Sequence, residues 1–398
     1  MKPKLLFYCQ HSLGMGHLIR SLTLARSLSR DFQVIFLNGG PVPDGIAFPD
    51  NIERHDLPAL TMNSRWELVK HDPGLTLEHV KRLRRDAIAS IQAASKPEVI
   101  FIELFPFGRK KFAFELLPLL RAARASRPRP LVAGSVRDIL VDRGGAKQQR
   151  HDDRARWIVE RYYDAVLVHA DPRFTRLTAS FRPARPLYKP VFHTGYVVAD
   201  ELRGESRDAT TIPDPGLLVS AGGGSVGGPL FRHLLDAVPS IRRQHDIPIT
   251  LVAGPFLPEE EWRELQHRSR LLTGVRVLRS VPDLRALLAN ATASISQCGY
   301  NTAMDVLRAG LPALFLPYAT GNENEQTCRA QALAIRGAAL LLQDSDPSPA
   351  VLAHQVNRLL DFTPRSAGLA LDGAATTNRI LLQLLADKQG RNTHEHVA

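Results

Sequence analysis

The chain has 398 residues, 44% of them hydrophobic, which is too long for one ordinary domain and supplies apolar material for two cores. Its formal net charge of +11 is lopsided: residues 1–200 carry 32 Lys and Arg against 20 Asp and Glu, while residues 201–398 carry 19 against 20. That excess suggests an anionic surface or substrate for the first half, but not nucleic acid, because zinc-ligand spacing, aromatic–basic interleaving and a basic recognition helix are all lacking.

Cys9, Cys298 and Cys328 form no CxxC and point to a reducing compartment rather than a disulfide framework. No apolar stretch approaches the ~20 residues that span a bilayer. The opening MKPKLLFYCQHS reads as a first β-strand, not a signal peptide.

In chain order, Leu5–Cys9 is the first strand and Gln10–Gly16 a glycine-bearing loop. A helix follows with Leu18, Leu22, Ala25 and Leu28 on one face, then a strand at Gln33–Asn38. Strand, glycine loop, helix, strand is the start of a doubly wound fold. The turn reads GMGH rather than GxGxxG, and no acid ends the second strand to hold an adenosine ribose, so a nicotinamide or flavin site is disfavoured. Pro41–Asp72 is irregular apart from a short strand at IERHDL. Leu75–Ala94 reads as a helix with its KRLRR run exposed.

Strands are expected at Pro97–Glu103, from Leu131 up to a polar turn at Ser135–Asp138, and at Asp164–Ala170, with a helix through Ala155–Tyr162. Short apolar runs returning after helices argue a parallel sheet buried on both faces. The expected division is a first domain at 1–198, a polar Gly/Pro-punctuated linker at 199–215, and a second α/β domain at 216–375. A helix at 376–389 that packs back on the first domain and a disordered tail at 390–398 complete it.

Three stretches could carry chemistry. Gly14, Gly16 and His17 open the first helix, where glycines admit a ligand to the backbone and His17 can accept a proton near neutrality. A capping histidine is the bland alternative, and His11 reads as a supporting or solvated group. Gly223, Gly224 and Ser225 lie in AGGGSVGG between a strand and a helix, a cradle for phosphate. No Lys stands where a Walker loop needs one. Finally, SQCGYNTAMDVLRAGLPALFLPYATGNENEQ brings Gly299, Asn301, Thr302 and Asp305 to the same sheet edge as Glu325 and Gln326. A carboxylate at Asp305 can accept two ribose hydroxyls; the bland reading of the second loop is a solvated acidic turn.

Together these motifs resemble the two-domain GT-B glycosyltransferases, α/β proteins with two Rossmann-like domains facing across a cleft. The branch they are most similar to contains the bacterial N-acetylglucosaminyltransferase of the lipid-linked peptidoglycan precursor. The resemblance is strong over 216–335 and 5–30 and weak between. It implies a nucleotide diphosphate sugar as donor, UDP-linked, with no bound metal or cofactor, and inversion at the anomeric carbon. The family's GxxTxxE helix falls on Gly299, Thr302 and Asp305, its sugar-contacting Gln pair on Glu325 and Gln326, and its base histidine on His17. The changes from Glu to Asp, from Gln to Glu and from GGH to MGH leave the donor open. Glu103, ending a strand, is a second acidic candidate in the acceptor region or a buried satisfied carboxylate.

The resemblance further implies cytoplasmic work in cell-envelope or polysaccharide biosynthesis, at the inner face of the membrane, on a lipid-linked, glycan or small-molecule acceptor. The basic first half fits peripheral contact with an anionic membrane and fits solubility charge equally. A sugar-nucleotide epimerase or hydrolase of the same fold and a non-catalytic nucleotide-sugar binder are the rival readings.

Overall fold

Leu5 to Cys9 are all fully buried, the pattern of a central strand in a parallel sheet covered on both sides. The computed structural model describes residues 1–11, 15–42, 46–63, 67–199, 214–281, 283–318, 324–344 and 346–395. In it the central strand β1 (Lys4–Cys9) is followed by α1 (Gly16–Leu28), β2 (Gln33–Asn38), β3 (Glu53–Asp56), β4 (Leu60–Met62) and β5 (Leu68–Lys70). Next come α2 (Leu77–Ser95), β6 (Val99–Glu103), α3 (Ala113–Ala125), β7 (Leu131–Arg137), α4 (Gly145–Tyr162), β8 (Ala165–His169) and β9 (Val191–His193). Seven of these strands form a parallel sheet in the order β3-β2-β1-β6-β7-β8-β9, and β4 pairs with β5 as an antiparallel hairpin.

The second series is β10 (Leu217–Ser220), α5 (Gly228–Arg242), β11 (Ile249–Val252), α6 (Glu259–Ser269), β12 (Val275–Leu278), α7 (Leu284–Leu288) and β13 (Ala293–Ser296). It continues with α8 (Tyr300–Ala309), β14 (Ala313–Phe315), α9 (Glu325–Ile335), β15 (Leu340–Leu341) and α10 (Pro349–Leu360). Its six strands are parallel, in the order β12-β11-β10-β13-β14-β15.

A last helix, α11 (Gly373–Glu395), belongs with the first series. One unit comprises Met1–Ala199 and Ala370–Ala398, the other Asp200–Leu369. Ala374, Leu381 and Leu385 join Leu18, Leu22 and Leu28 in one apolar core, and Lys388 Nζ donates to Asp164 Oδ2 and Pro130 O, each at 2.9 Å.

Several boundaries differ from the sequence expectation. The second unit ends at 369 rather than 375, and residues 390–395, expected as disordered tail, continue α11. Most of the expected linker lies outside the described residues. The expected polar turn at Ser135–Asp138 is mostly strand, because Ser135–Arg137 still pair with β8. The basic run of α2 is not uniformly exposed. Arg84 is fully buried, its guanidinium holding Glu115 at 2.6 and 2.7 Å, Gly39 O at 2.8 Å and Pro58 O at 2.9 Å.

Each sheet reverses direction once, between β1 and β6 and between β10 and β13. At such a reversal the loops leave neighbouring strands toward opposite faces, which opens a crevice at their carboxyl ends.

Candidate functional site

In the first unit, the reversal joins the end of β1 and the start of α1 to the end of β6. Arg20 follows His17 by three residues, so both side chains lie on one face of α1. His17 Nδ1 stands 2.6 Å from Glu103 Oε1, and Arg20 Nη2 donates to the same oxygen at 2.7 Å. Arg20 Nη2 also lies 3.3 Å from His17 Nδ1. A carboxylate only accepts, so the short contact fixes the proton on Nδ1 and makes the Arg20–His17 approach a contact rather than a hydrogen bond. The imidazole Nε2 is left as an unprotonated acceptor.

Glu103 is fully buried and the His17 side chain is 17% exposed. Burial pushes the His17 pKa down, against the pull of Glu103 and with help from the Arg109 and Arg20 guanidiniums, so the ring is neutral at physiological pH. Burial alone would raise the Glu103 pKa. His17 and Arg20 outweigh it, and the group stays ionised. Beside this pair, Ser135 Oγ lies 2.8 Å from His169 Nε2, and His169 Nδ1 lies 3.0 Å from Thr194 Oγ1. Ser135 lies two residues before the end of β7, His169 ends β8 and Thr194 follows β9, so the three continue the polar layer toward the sheet edge.

In the second unit, the loop after β10 is built on glycine. Gly222 has φ +57° and Gly224 φ +88°, and a Cβ on Gly224 would meet Ala253 O at 2.3 Å. Gly224 N donates to Ala221 O and Gly227 N to Gly224 O, each at 3.0 Å. The loop then enters α5 with Pro229 in its first turn. Ser225 is exposed at the top. Gln297, after β13, donates from Nε2 to Val226 O at 2.9 Å, which ties the two sides of the reversal together. A Cβ on Gly222 would sit 3.5 Å from Thr302 Oγ1, so the glycine loop reaches the buried threonine of α8.

Gly299 is the N-cap of α8, and Asn301, Thr302 and Asp305 lie on that helix. Asp305 is partly buried, and burial pushes its carboxyl up to about 7, with Arg285 and Arg308 opposing and Asp283 reinforcing the rise. Arg285 is itself clasped by Asp283 at 2.8 and 2.9 Å. Glu325 and Gln326 form the first turn of α9, and Gln326 Oε1 accepts from Tyr318 N at 3.2 Å. Arg329, fully buried, donates to Cys298 O at 2.6 Å and so holds α9 against the loop after β13.

The sequence candidates therefore gather at two places. His17 and Glu103 meet in the first unit, with Gly16 beginning α1; Gly14 lies outside the described residues. Gly223, Gly224, Ser225, Gly299, Asn301, Thr302, Asp305, Glu325 and Gln326 share one sheet edge in the second. Glu103 is neither wholly satisfied nor free: Oε1 has two partners, while Oε2 is buried without one among the described residues. His11 is buried rather than solvated, its Nε2 3.1 Å from Asn38 Oδ1. Sequence reading missed Arg20 and Arg329, although each stands three or four residues along a helix from a chosen candidate. Among the described residues, no group of three or more His, Cys, Asp or Glu is arranged to hold a metal ion, and no helix is long and apolar enough to cross a membrane.

Two parallel-sheet Rossmann-like units, each with its polar groups at a strand-order reversal, define a fold of the GT-B type. Residues 218–376 match the family described as the glycosyltransferase family 28 C-terminal domain. Over 165 residues, 42% of this chain and 44% of the relative, the sequence is 26% identical to UDP-N-acetylglucosamine–N-acetylmuramyl-(pentapeptide) pyrophosphoryl-undecaprenol N-acetylglucosamine transferase of Brucella suis. The chain thus spans less than half the length of the curated relatives it matches.

Whole-chain likeness is seen among solved structures. MurG of Acinetobacter baumannii is 17% identical with a TM-score of 0.54, covering 98% of this chain and 100% of that one. A UDP-glucosyltransferase of Polygonum tinctorium is 15% identical with a TM-score of 0.62, covering 98% and 99%. A Listeria monocytogenes protein assigned as a UDP-N-acetylglucosamine 2-epimerase is 14% identical with a TM-score of 0.61, covering 98% of each. At these identities the structures speak to fold alone.

Proposed function

We propose that this protein is an inverting glycosyltransferase that moves a sugar from a UDP-sugar to a hydroxyl of its acceptor. The observation that carries the reading is the 2.6 Å contact of His17 Nδ1 with the ionised Glu103, which leaves Nε2 as a neutral base at a ligand crevice. The family match over the second unit supports the donor class.

In this mechanism the acceptor O–H gives its proton to His17 Nε2 as its oxygen attacks the anomeric carbon. The bond from that carbon to the diphosphate oxygen breaks, and the nucleoside diphosphate leaves with the electron pair. Attack opposite the leaving group inverts the centre. Glu103 keeps the imidazole in the required tautomer and stabilises the cation that forms. The backbone N–H of Gly223 with Ser225 meets the departing charge, Asp305 takes the ribose hydroxyls, and Glu325 and Gln326 take sugar hydroxyls.

Thermal stabilisation by a panel of UDP-, GDP- and dTDP-sugars tests the donor, since a ligand that prefers the folded state raises its stability. Stabilisation by UDP-sugars ahead of the others is expected. The GT-B fold also houses epimerases, so each sugar nucleotide is incubated alone. Conversion to an epimer without acceptor would replace the transfer reading.

The basic excess of the first half supports a second element of the reading, peripheral contact with an anionic membrane bearing a lipid-linked acceptor.

A further inference from the structure

Glu103 Oε1 takes both His17 and Arg20, yet a second guanidinium stands beside the same carboxylate. Arg109 Nε lies 3.9 Å from Glu103 Oε2, beyond hydrogen-bonding reach. Both atoms are buried, and neither has a hydrogen-bond partner among the described residues. The Arg109 side chain is 15% exposed, so the guanidinium is almost withdrawn from water.

The backbone at Arg109 is also unusual. It has φ +54° and ψ +25°, a left-handed conformation that costs a non-glycine residue energy, and Leu104, at the start of the same loop, has φ +62°. With His17 neutral, one carboxylate faces the two cations Arg20 and Arg109. A structural ion pair would close to hydrogen-bonding distance; this one stops short and leaves one positive charge over.

We infer that Arg109 binds an oxyanion, a phosphate or carboxylate carried by the acceptor near the hydroxyl that reacts. The inference rests on the glycosyltransferase reading for the word acceptor, but not for the binding itself. An arginine suits this position because its planar fork matches both anions and holds its charge at any working pH. A bound oxyanion would compensate the leftover cation beside Glu103, whose Oε1 is already taken by Arg20 and His17. Arg109 would thus select acceptors by charge and set the hydroxyl against Nε2.

The test uses the full chain as wild type, Arg109→Gln and Arg109→Lys, melted alone and with glucose, glucuronate, glucose 6-phosphate or inorganic phosphate. Alone, Arg109→Gln is expected to melt at or above the wild type, because it removes a mostly buried cation whose Nε has no hydrogen bond among the described residues. An oxyanion is expected to raise the wild-type Tm where glucose does not. Arg109→Gln should abolish that rise, and Arg109→Lys, a point charge without the fork, should keep part of it. A rise confined to glucuronate assigns a carboxylate; one shared by both phosphate compounds assigns a phosphate.

If Arg109→Gln alone melts below the wild type, the residue is a structural counter-ion and the inference falls. It falls equally if no oxyanion gives an Arg109-dependent rise. Stabilisation by UDP-sugar should be the same in all three proteins. Its absence from all three, with the Arg109-dependent rise intact, would count against the transferase reading and leave the oxyanion site standing.

Discussion

His17 Nδ1 and Glu103 Oε1, 86 residues apart in sequence, meet at 2.6 Å because β1 and β6 are hydrogen-bonded neighbours on either side of the reversal in the first sheet. The contact sets the imidazole tautomer. It makes His17 a base rather than a donor, and it makes Glu103 the group that holds the ring.

Replacing His17 by Ala should therefore lower turnover roughly 10²–10⁴-fold while UDP-sugar affinity stays near that of the wild type. Calorimetric donor titration beside a transfer assay reads both numbers. Lost donor affinity would move His17 to the diphosphate site.

Glu103→Gln should reduce stability by about 3–5 kcal/mol at pH 7, since it leaves the buried Arg20, hydrogen-bonded to Glu103 at 2.7 Å, without its carboxylate. The Glu103 pKa falls from its ordinary 4.5 to about 2 in the folded chain. Its stabilisation is therefore complete above 4.5 and lost as pH falls toward 2. Urea midpoints across that window should converge for variant and wild type; a gap that stays constant would mean the carboxylate is not ionised there.

Asp305 runs the other way. Burial lifts its pKa from 3.8 to about 7, so the folded state holds a proton that the unfolded state has released, and stability falls as pH climbs through that interval. Asp305→Asn should be more stable than the wild type, with the advantage larger at pH 8 than at pH 5. It should also bind UDP-sugar more weakly. Unchanged donor affinity would remove the ribose role.

Gly224→Ala should cost more than about 1–3 kcal/mol, because it combines a strained φ with a Cβ 2.3 Å from Ala253 O. The collapse should abolish UDP-sugar stabilisation and leave the oxyanion response of the first unit intact. Retained donor binding would show that this loop does not cradle the diphosphate.

The membrane reading is tested by sedimentation with anionic and neutral liposomes at low and high salt. Arg82, Arg85, Lys110 and Lys111 are exposed and Lys81 partly so, whereas Arg84 and Arg109 face inward. Removing the exposed set should weaken binding to anionic vesicles at low salt. Equal sedimentation with both lipids would end the reading.

Strand positions were largely legible in the sequence because both sheets are buried on two faces, so each central strand is a short unbroken apolar run. The hairpin strands β4 and β5 and the edge strand β9 were obscure for the opposite reason: they are only three residues long, and none is a run of fully buried residues. Glycine loops and the CGYNT helix marked the second site. The partners of Glu103 could not be read from composition, since arginine in a basic half looks like surface charge until the sheet brings Arg20 and Arg109 to a buried carboxylate. Arg84 misled in the same way.

Because the second unit is inserted between Ala199 and Ala370, a ribosome delivers all of it before α11 emerges. The first unit's apolar core then lacks Ala374, Leu381 and Leu385 throughout that interval. The later-encoded unit can finish first, while the earlier one waits with α1 uncovered. A nascent chain is thus most exposed to aggregation and proteolysis in the part that synthesis began with.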